Sequence, residues 1–314
     1  MSIALVFPGQ GSQRAGMGKA LFDAFQEAKD VFLEVDEALK EKLSSMIFEG
    51  AEELNLTSNV QPALMAVSMA VVRVLEAQGK FDIAKRAAFL AGHSLGEYSA
   101  LCAARSIGLS ETARLLRIRG KAMQEASPPG KGTMAALIKA DMEQALEIVS
   151  LAAKESGEIC YVANDNAVGQ IVISGTIAGI DKAIAVAAER GFKRVIKLPV
   201  AGAFHSPLMQ PVANVLREAL QHIEIKAPVV PLIANVTASE VTDPETIKKL
   251  LVEQVTGSVR WRESVLYMKG RGVDRLIECG SGTVLSDLTK RIDDTISSTA
   301  LSAPEDIEAF LKAV

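Results

Sequence analysis

Gly92-His93-Ser94-Leu95-Gly96 places a serine between two glycines in the Gly-x-Ser-x-Gly pattern. On a sharp turn from strand to helix, such a serine becomes a nucleophile. Its hydroxyl is weak at neutral pH and needs a base within hydrogen-bond reach. The chain offers three histidines. His93 adjoins Ser94 on the turn, where neighbouring side chains diverge, and His222 ends a polar, solvated helical stretch. His205 stands in a loop after one predicted strand and before a capped helix, where α/β enzymes assemble their sites. His205 is the expected base. An acyl group on Ser94 can pass to water, making a hydrolase, or to another thiol, making a transferase, and the motif does not choose.

A tetrahedral oxyanion would need two backbone N–H donors. One is expected from Leu95, the residue after the nucleophile, and the second from another loop at a strand end. Gly9-Gln10-Gly11 follows the first predicted strand, and its glycines let backbone approach a ligand closely, so Gln10 is the candidate donor. The competing reading of Phe7 to Gly11 is an ordinary turn. It is not a dinucleotide fingerprint, because GQGSQR lacks the third glycine at its required position.

Arg119 adds a second chemistry. In SETARLLRIRGKAMQEA, residues 110–126, Leu115, Leu116, Ala122 and Met123 lie three or four residues from Arg119 and put it on the apolar stripe of a helix. Arg114 and Arg117 point elsewhere. A buried guanidinium is costly unless paired, and it grips carboxylates in a bidentate fork. It serves either an internal salt bridge or a substrate carboxylate.

These residues need a scaffold. Strands are expected at Ile3 to Phe7, Arg86 to Ala91, Val229 to Asn235 and Val273 to Glu278. Helices are expected from Met17 to Leu39, from Pro62 to Glu76, from Leu95 to Ala104 and over 110–126. Past His205, a helix capped by Ser206-Pro207 should run to Gln221, with others over Pro244 to Val255 and Arg260 to Lys269. SPPGKGT, residues 127–133, breaks this run. The next seventy residues read strand, helix, strand, strand, helix, strand, with NDNAVG as the turn between the middle strands. That βαββαβ order matches a ferredoxin-like unit. The expected fold class is α/β. A large α/β-hydrolase-like domain with a mostly parallel sheet, residues 1–128 and 200–314, carries an inserted ferredoxin-like small domain, residues 129–199.

Composition narrows the function classes. Of the 314 residues 49% are hydrophobic and 4% aromatic, a balance that suits helices covering a buried sheet. A net charge of −4 disfavours a general nucleic-acid binder. Cys102, Cys160 and Cys279 show no metal-ligand spacing and read as buried, reduced thiols. MSIALVFPGQ lacks a basic start and breaks at Pro8-Gly9, so it reads as a first strand and not a signal peptide. No run approaches about 18 uninterrupted apolar residues. The expectation is a cytoplasmic monomer that binds neither nucleic acid nor membrane and holds no metal.

FPGQGSQ, GHSLGEYSAL, RGKAMQEA and GAFHS stand in this order along the chain. Together they resemble the malonyl-CoA:acyl carrier protein transacylase family, over essentially the whole length including the small insertion. The resemblance implies transfer of a malonyl group from malonyl-CoA to the phosphopantetheine thiol of acyl carrier protein in fatty acid biosynthesis, through a malonyl-serine ester and without a cofactor. It implies Ser94 as nucleophile, His205 as base, Arg119 as receptor for the malonyl carboxylate, and the N–H groups of Gln10 and Leu95 as oxyanion donors. It further implies that a main-chain carbonyl at Gln254 orients the histidine and that Asn235 lies close to it. Leu95 and Phe204 resemble the malonyl-type pattern rather than the methylmalonyl-type one. Val168, where the family often has proline, touches only a turn of the small domain.

A serine esterase or thioesterase is the first rival. Such enzymes usually place an acid between serine and histidine in chain order. Asp141, Asp165 and Asp181 fall there, but none is predicted at a strand end of the large domain. A scaffold protein that keeps the fold without activity is the second rival, and it conflicts with the full set of expected residues.

Overall fold

The computed structural model describes residues 2–200 and 202–313, so Ala201 of the AGAFHS loop lies outside the described residues. The chain begins with β1 (Ile3–Phe7), α1 (Lys19–Ala24), α2 (Gln26–Leu39), α3 (Leu43–Glu49), α4 (Thr57–Gly79) and α5 (Ile83–Arg86). β2 (Ala87–Gly92), α6 (Gly96–Ala103) and α7 (Leu109–Ala126) follow. The middle third holds β3 (Gly132–Ile138), α8 (Met142–Ser156), β4 (Cys160–Ala167), β5 (Gln170–Thr176), α9 (Ile177–Glu189) and β6 (Val195–Lys197). Then come α10 (Gln210–Gln221), β7 (Leu232–Ala234), β8 (Ser239–Val241), α11 (Pro244–Gln254) and α12 (Trp261–Gly270). β9 (Arg275–Cys279), α13 (Val284–Ile292), β10 (Ser297–Leu301) and α14 (Pro304–Ala313) complete it.

The fold is mixed α/β, with a largely parallel sheet and a separate small antiparallel one. The larger sheet has the order β10-β9-β1-β2-β7-β8, parallel except for β8. β1 sits in its middle because all five of its residues are apolar and buried. Ile3, Leu5 and Phe7 enter the core under α2 and α4, while Ala4 and Val6 enter the one around Trp261 and Val265. Each large side chain so buried contributes roughly 1.5–3 kcal/mol. Register pairs Phe7 with Gly92 and Ala91 with Ile233. The loop after β1, the turn after β2 and Asn235 after β7 therefore meet at one carboxyl edge, where open α/β sheets bind ligands.

The small sheet has the order β4-β5-β3-β6. One face packs on α8 and α9 through Ala135, Leu137, Ile148, Ile173 and Ile180. On the other face, Met134, Ala136 and Val172 join the main core.

Several expected elements change in the structure. The helix from Met17 to Leu39 is two helices, because Phe25 between them is extended. α4 starts at Thr57 and carries Pro62 inside it. Proline cannot bond the carbonyl four residues back, and Arg117 Nη1 donates to that Ser58 oxygen at 2.9 Å instead. Ser206 does not cap a helix with its hydroxyl, which donates back to Ala203 O at 2.6 Å. The strand expected over Val229 to Asn235 shrinks to Leu232–Ala234 and turns back as β8. NDN is not turn but strand: β4 runs to Ala167, and the turn is Val168-Gly169, with Gly169 at φ +68°. Asn164, Asp165 and Asn166 are buried because they bind the other sheet's elements. Val259 N donates to Ala163 O at 2.8 Å, Asp165 N donates to Val259 O at 3.0 Å, and the Asp165 carboxylate pairs with Arg262. By length and composition α4 could cross a membrane, but 83% of its apolar window is buried within the protein. It is a core helix.

Candidate active site

Ser94 occupies the turn between β2 and α6 at φ +53°. A Cβ on Gly92 would lie 1.9 Å from the Gly96 backbone, and one on Gly96 would lie 2.2 Å from the Phe7 carbonyl oxygen. Both glycines of the motif are thus required by space. Left-handed backbone costs serine on the order of 1–3 kcal/mol and persists only where its surroundings enforce it. Asn235 supplies that enforcement: its Oδ1 accepts the Ser94 N–H at 2.8 Å, and its Nδ2 donates to Gly92 O at 2.7 Å.

His205 Nε2 lies 2.8 Å from Ser94 Oγ. Its Nδ1 faces two carbonyl oxygens, Gln254 at 2.8 Å and Gly257 at 3.2 Å. Carbonyls only accept, so Nδ1 carries the proton and Nε2 turns its lone pair to the serine. The Gln254 carbonyl is available because α11 ends there and its last carbonyls have no partner within the helix. Burial first, and then the Arg119 charge, push His205 from 6.5 down to about 3. The ring is neutral at physiological pH. Among the described residues no acid contacts it: Asp141 caps α8, Asp165 pairs with Arg262, and Asp181 pairs with Lys197.

Arg119 is buried on α7, as the apolar stripe requires, while Arg114 is exposed. Gly120 lets this helix approach the start of α4, since a Cβ there would sit 2.4 Å from Thr57 O. Arg119 Nη1 then reaches Gln61 Oε1 at 2.7 Å, and Nη2 reaches Gln254 Oε1 at 2.9 Å and Ser94 Oγ at 3.1 Å. The guanidinium lies over the Tyr98 ring, 5.4 Å from its centroid. Among the described residues no carboxylate comes within ion-pairing distance of Arg119. Its side-chain partners are neutral.

Gln254 does more than the sequence suggests. Besides its main-chain carbonyl on His205, its side-chain Nε2 donates to Ser94 O at 3.0 Å and Glu97 Oε2 at 3.0 Å, with Asn235 Oδ1 at 3.3 Å. Glu97, 1% exposed, was missed from sequence. Burial lifts its carboxyl from 4.5 to about 7, against the opposing pull of its hydrogen bonds and of Arg119. Its only sequence signal is its place in the motif, in the first turn of α6, where an acid ordinarily reads as a solvated helix-dipole partner. Gln61 and Gly257 had no signal.

Gln10 is half-buried at the carboxyl edge, and Leu95 is the N-cap of α6. Among the described residues no hydrogen bond takes up the backbone N–H of either. His93 does not face the serine hydroxyl. Its Nε2 is 2.8 Å from Asn166 Oδ1 and its ring lies against Trp261, while His222 is exposed. Cys102, Cys160 and Cys279 are buried free thiols, each pushed up by burial.

A serine on a strand-to-helix elbow, hydrogen-bonded to an oriented histidine, is the arrangement of enzymes that carry acyl groups as serine esters. The acyl transferase domain family matches residues 4–301, and the chain belongs to that family. It is 46% identical to the malonyl CoA-acyl carrier protein transacylase of Bacillus subtilis (strain 168), covering 99% of this chain and 97% of that one. The crystal structure of an acyl-carrier-protein-S-malonyltransferase from Bartonella henselae superposes with a TM-score of 0.96 at 53% identity, over 100% of this chain and 99% of the other. A malonyl-transacylase in complex with a type II polyketide acyl-carrier protein superposes with a TM-score of 0.95 at 38% identity, over the full length of both.

Proposed function

We propose that this protein transfers malonyl groups from malonyl-CoA to acyl carrier protein for fatty acid biosynthesis. The observation that carries the reading is Arg119 Nη2 at 3.1 Å from Ser94 Oγ, with no carboxylate within ion-pairing distance of it among the described residues. A malonyl group bears its free carboxylate one methylene away from the thioester carbonyl. The receptor for that carboxylate must therefore stand next to the nucleophile, and an unpaired buried guanidinium meets the requirement.

Ser94 Oγ attacks the thioester carbonyl as its proton passes to His205 Nε2. The N–H groups of Gln10 and Leu95 hold the oxyanion. Collapse breaks the carbon–sulfur bond, and His205 returns the proton to the CoA thiolate, leaving a malonyl-serine ester. The phosphopantetheine thiol of the carrier then gives its proton to His205, attacks the ester and restores Ser94. No cofactor enters these steps. The carrier as partner is supported by the related complex with an acyl-carrier protein. Hydrolysis is disfavoured because His205 leans on carbonyls and not on a triad acid.

The strand order β6-β3-β5-β4 and its two helices support a ferredoxin-like small domain over residues 129–199. It is inserted into an α/β-hydrolase-like domain of residues 1–128 and 200–314. The buried α4 and the free cysteines accord with a protein working in the cytoplasm, and a monomer is the proposed state.

The test is incubation with malonyl-CoA and holo-carrier, read by intact mass. A malonyl adduct on Ser94 and a malonylated carrier are expected, and rapid free malonate with no loaded carrier overturns the reading. Arg119→Ala should cut kcat/KM for malonyl-CoA about 100-fold or more while leaving acetyl-CoA nearly unchanged. An equal fall for both donors makes Arg119 structural.

A further inference from the structure

The Arg119 guanidinium has a buried carboxyl one amide away. Glu97 Oε2 accepts Gln254 Nε2 at 3.0 Å, and Gln254 Oε1 accepts Arg119 Nη2 at 2.9 Å. The primary amide therefore sits between a group that accepts and a group that only donates. This arrangement has one orientation. Turned over, Gln254 would aim its NH2 at the guanidinium and its oxygen at the carboxyl oxygen, two repulsions in a buried place. The same Oε2 also accepts the Asn235 backbone N–H at 2.9 Å, which fixes the carboxyl against β7. Glu97 is buried, and both of its bonds go to one oxygen, so a proton on the other oxygen would leave them intact.

We infer that Glu97 is a positioning residue for donor selection: through the side chain of Gln254 it holds Arg119 in the pose that receives the substrate carboxylate. The inference deepens the malonyl-transfer reading and rests on it. The Glu97 backbone N–H donates to Ser94 O at 3.0 Å, a bond that any residue there would keep, while its carboxyl reaches Ser94 and His205 only through Asn235 and Gln254. A merely structural Glu97 would support the elbow under every donor alike. A positioning Glu97 acts where Arg119 acts, and an acetyl group does not use Arg119.

The experiment measures kcat and KM for malonyl-CoA and acetyl-CoA with unaltered protein, Glu97→Ala, Glu97→Gln and Gln254→Ala. Malonyl transfer by the unaltered protein tests the parent reading, and its failure there is distinct from any result in the variants. Glu97→Ala is expected to lower malonyl kcat/KM about tenfold or more, mainly through KM, with acetyl transfer within about twofold. Glu97→Gln keeps an acceptor oxygen for both bonds and should restore malonyl transfer to within about threefold of the unaltered protein. Gln254→Ala leaves the main-chain carbonyl on His205 but removes the Nε2 bond to Ser94 O, so both donors should slow and malonyl transfer should fall further; the malonyl-to-acetyl ratio is the readout, even where Glu97→Ala fails to fold. Adding Glu97→Ala to Gln254→Ala should then change the malonyl-to-acetyl ratio by less than about twofold. Equal losses for both donors, or a Glu97→Gln no better than Glu97→Ala, overturn the inference.

Discussion

Replacing Asn235 with alanine tests how the nucleophile is held. The change deletes the bond from Ser94 N–H at 2.8 Å, the one to Gly92 O at 2.7 Å and the longer one from Gln254 Nε2 at 3.3 Å; Gln254 keeps two other acceptors, so Ser94 N–H and Gly92 O are the two groups deserted. It leaves Asn235 N on Glu97 because that bond is made by backbone. Each deserted group costs about 1–3 kcal/mol, so the loss should be about 2–6 kcal/mol. Domains of ordinary stability have about 5–15 kcal/mol in all, which makes a soluble but weakened protein the expected product. The same clamp holds Ser94 at φ +53°. Once it is gone, the strain of about 1–3 kcal/mol can relax and carry Oγ away from His205. A displacement near 1 Å lowers the acylation rate roughly 100-fold. Urea unfolding would read the first effect, and the rapid burst of CoA release from malonyl-CoA and acetyl-CoA the second. Both donors should slow together, since the elbow serves each. A stability loss under about 1 kcal/mol with an unchanged burst would refute the clamp, and slowing confined to malonyl-CoA would place Asn235 with Arg119 instead.

Two further outcomes are expected. Gly96→Ala forces a Cβ to 2.2 Å from the Phe7 carbonyl oxygen, so thermal unfolding should drop by the equivalent of about 3 kcal/mol and acylation should vanish; an unshifted melt would mean the elbow is slack. Acid should affect the fold through two opposed groups. His205, held down at about 3 against 6.5 when unfolded, contributes stability that is complete above pH 6.5 and is lost as pH falls toward 3. Glu97, lifted from 4.5 to about 7, is protonated in the folded chain across that interval, so its contribution is full below pH 4.5 and lost as pH rises through 7. Between pH 8 and pH 5 the unaltered protein should therefore gain about 2–3 kcal/mol relative to Glu97→Gln in urea unfolding. Parallel pH curves would show that the Glu97 carboxyl titrates normally.

What was legible in the sequence follows from how local each constraint is. Gly92 and Gly96 were readable because the elbow leaves no room for a side chain at either place, and the spacing records that directly. Arg119 was readable because an α-helix repeats its faces and the apolar neighbours marked the buried one. The pairing of Ser94 with His205 could be guessed from loop positions, but the place of the ring is fixed by the Gln254 and Gly257 carbonyls, some fifty residues further along the chain. NDN was misread because polar residues in sequence favour a turn, whereas here they meet Val259, Arg262 and His93 from another part of the chain. β8 was missed because three residues carry too little pattern to announce a strand. Glu97 was missed for the opposite reason: its surroundings are assembled from α6, β7 and α11, and nothing beside it in sequence signals burial.

The two carbonyl oxygens on His205 Nδ1 have a consequence for direction. A carboxylate in that place could take up part of the proton's charge, but a carbonyl has no basic form and leaves the Nδ1 proton where it is. All traffic is confined to Nε2, which must return each borrowed proton to the same small space before a second thiol can be activated. In the proposed cycle the first half-reaction turns a thioester into the Ser94 ester and the second turns that ester back into a thioester, so the whole exchanges one thioester for another. Loading is a reversible balance between two thiol pools, and net flux is set by whatever later step consumes the loaded carrier.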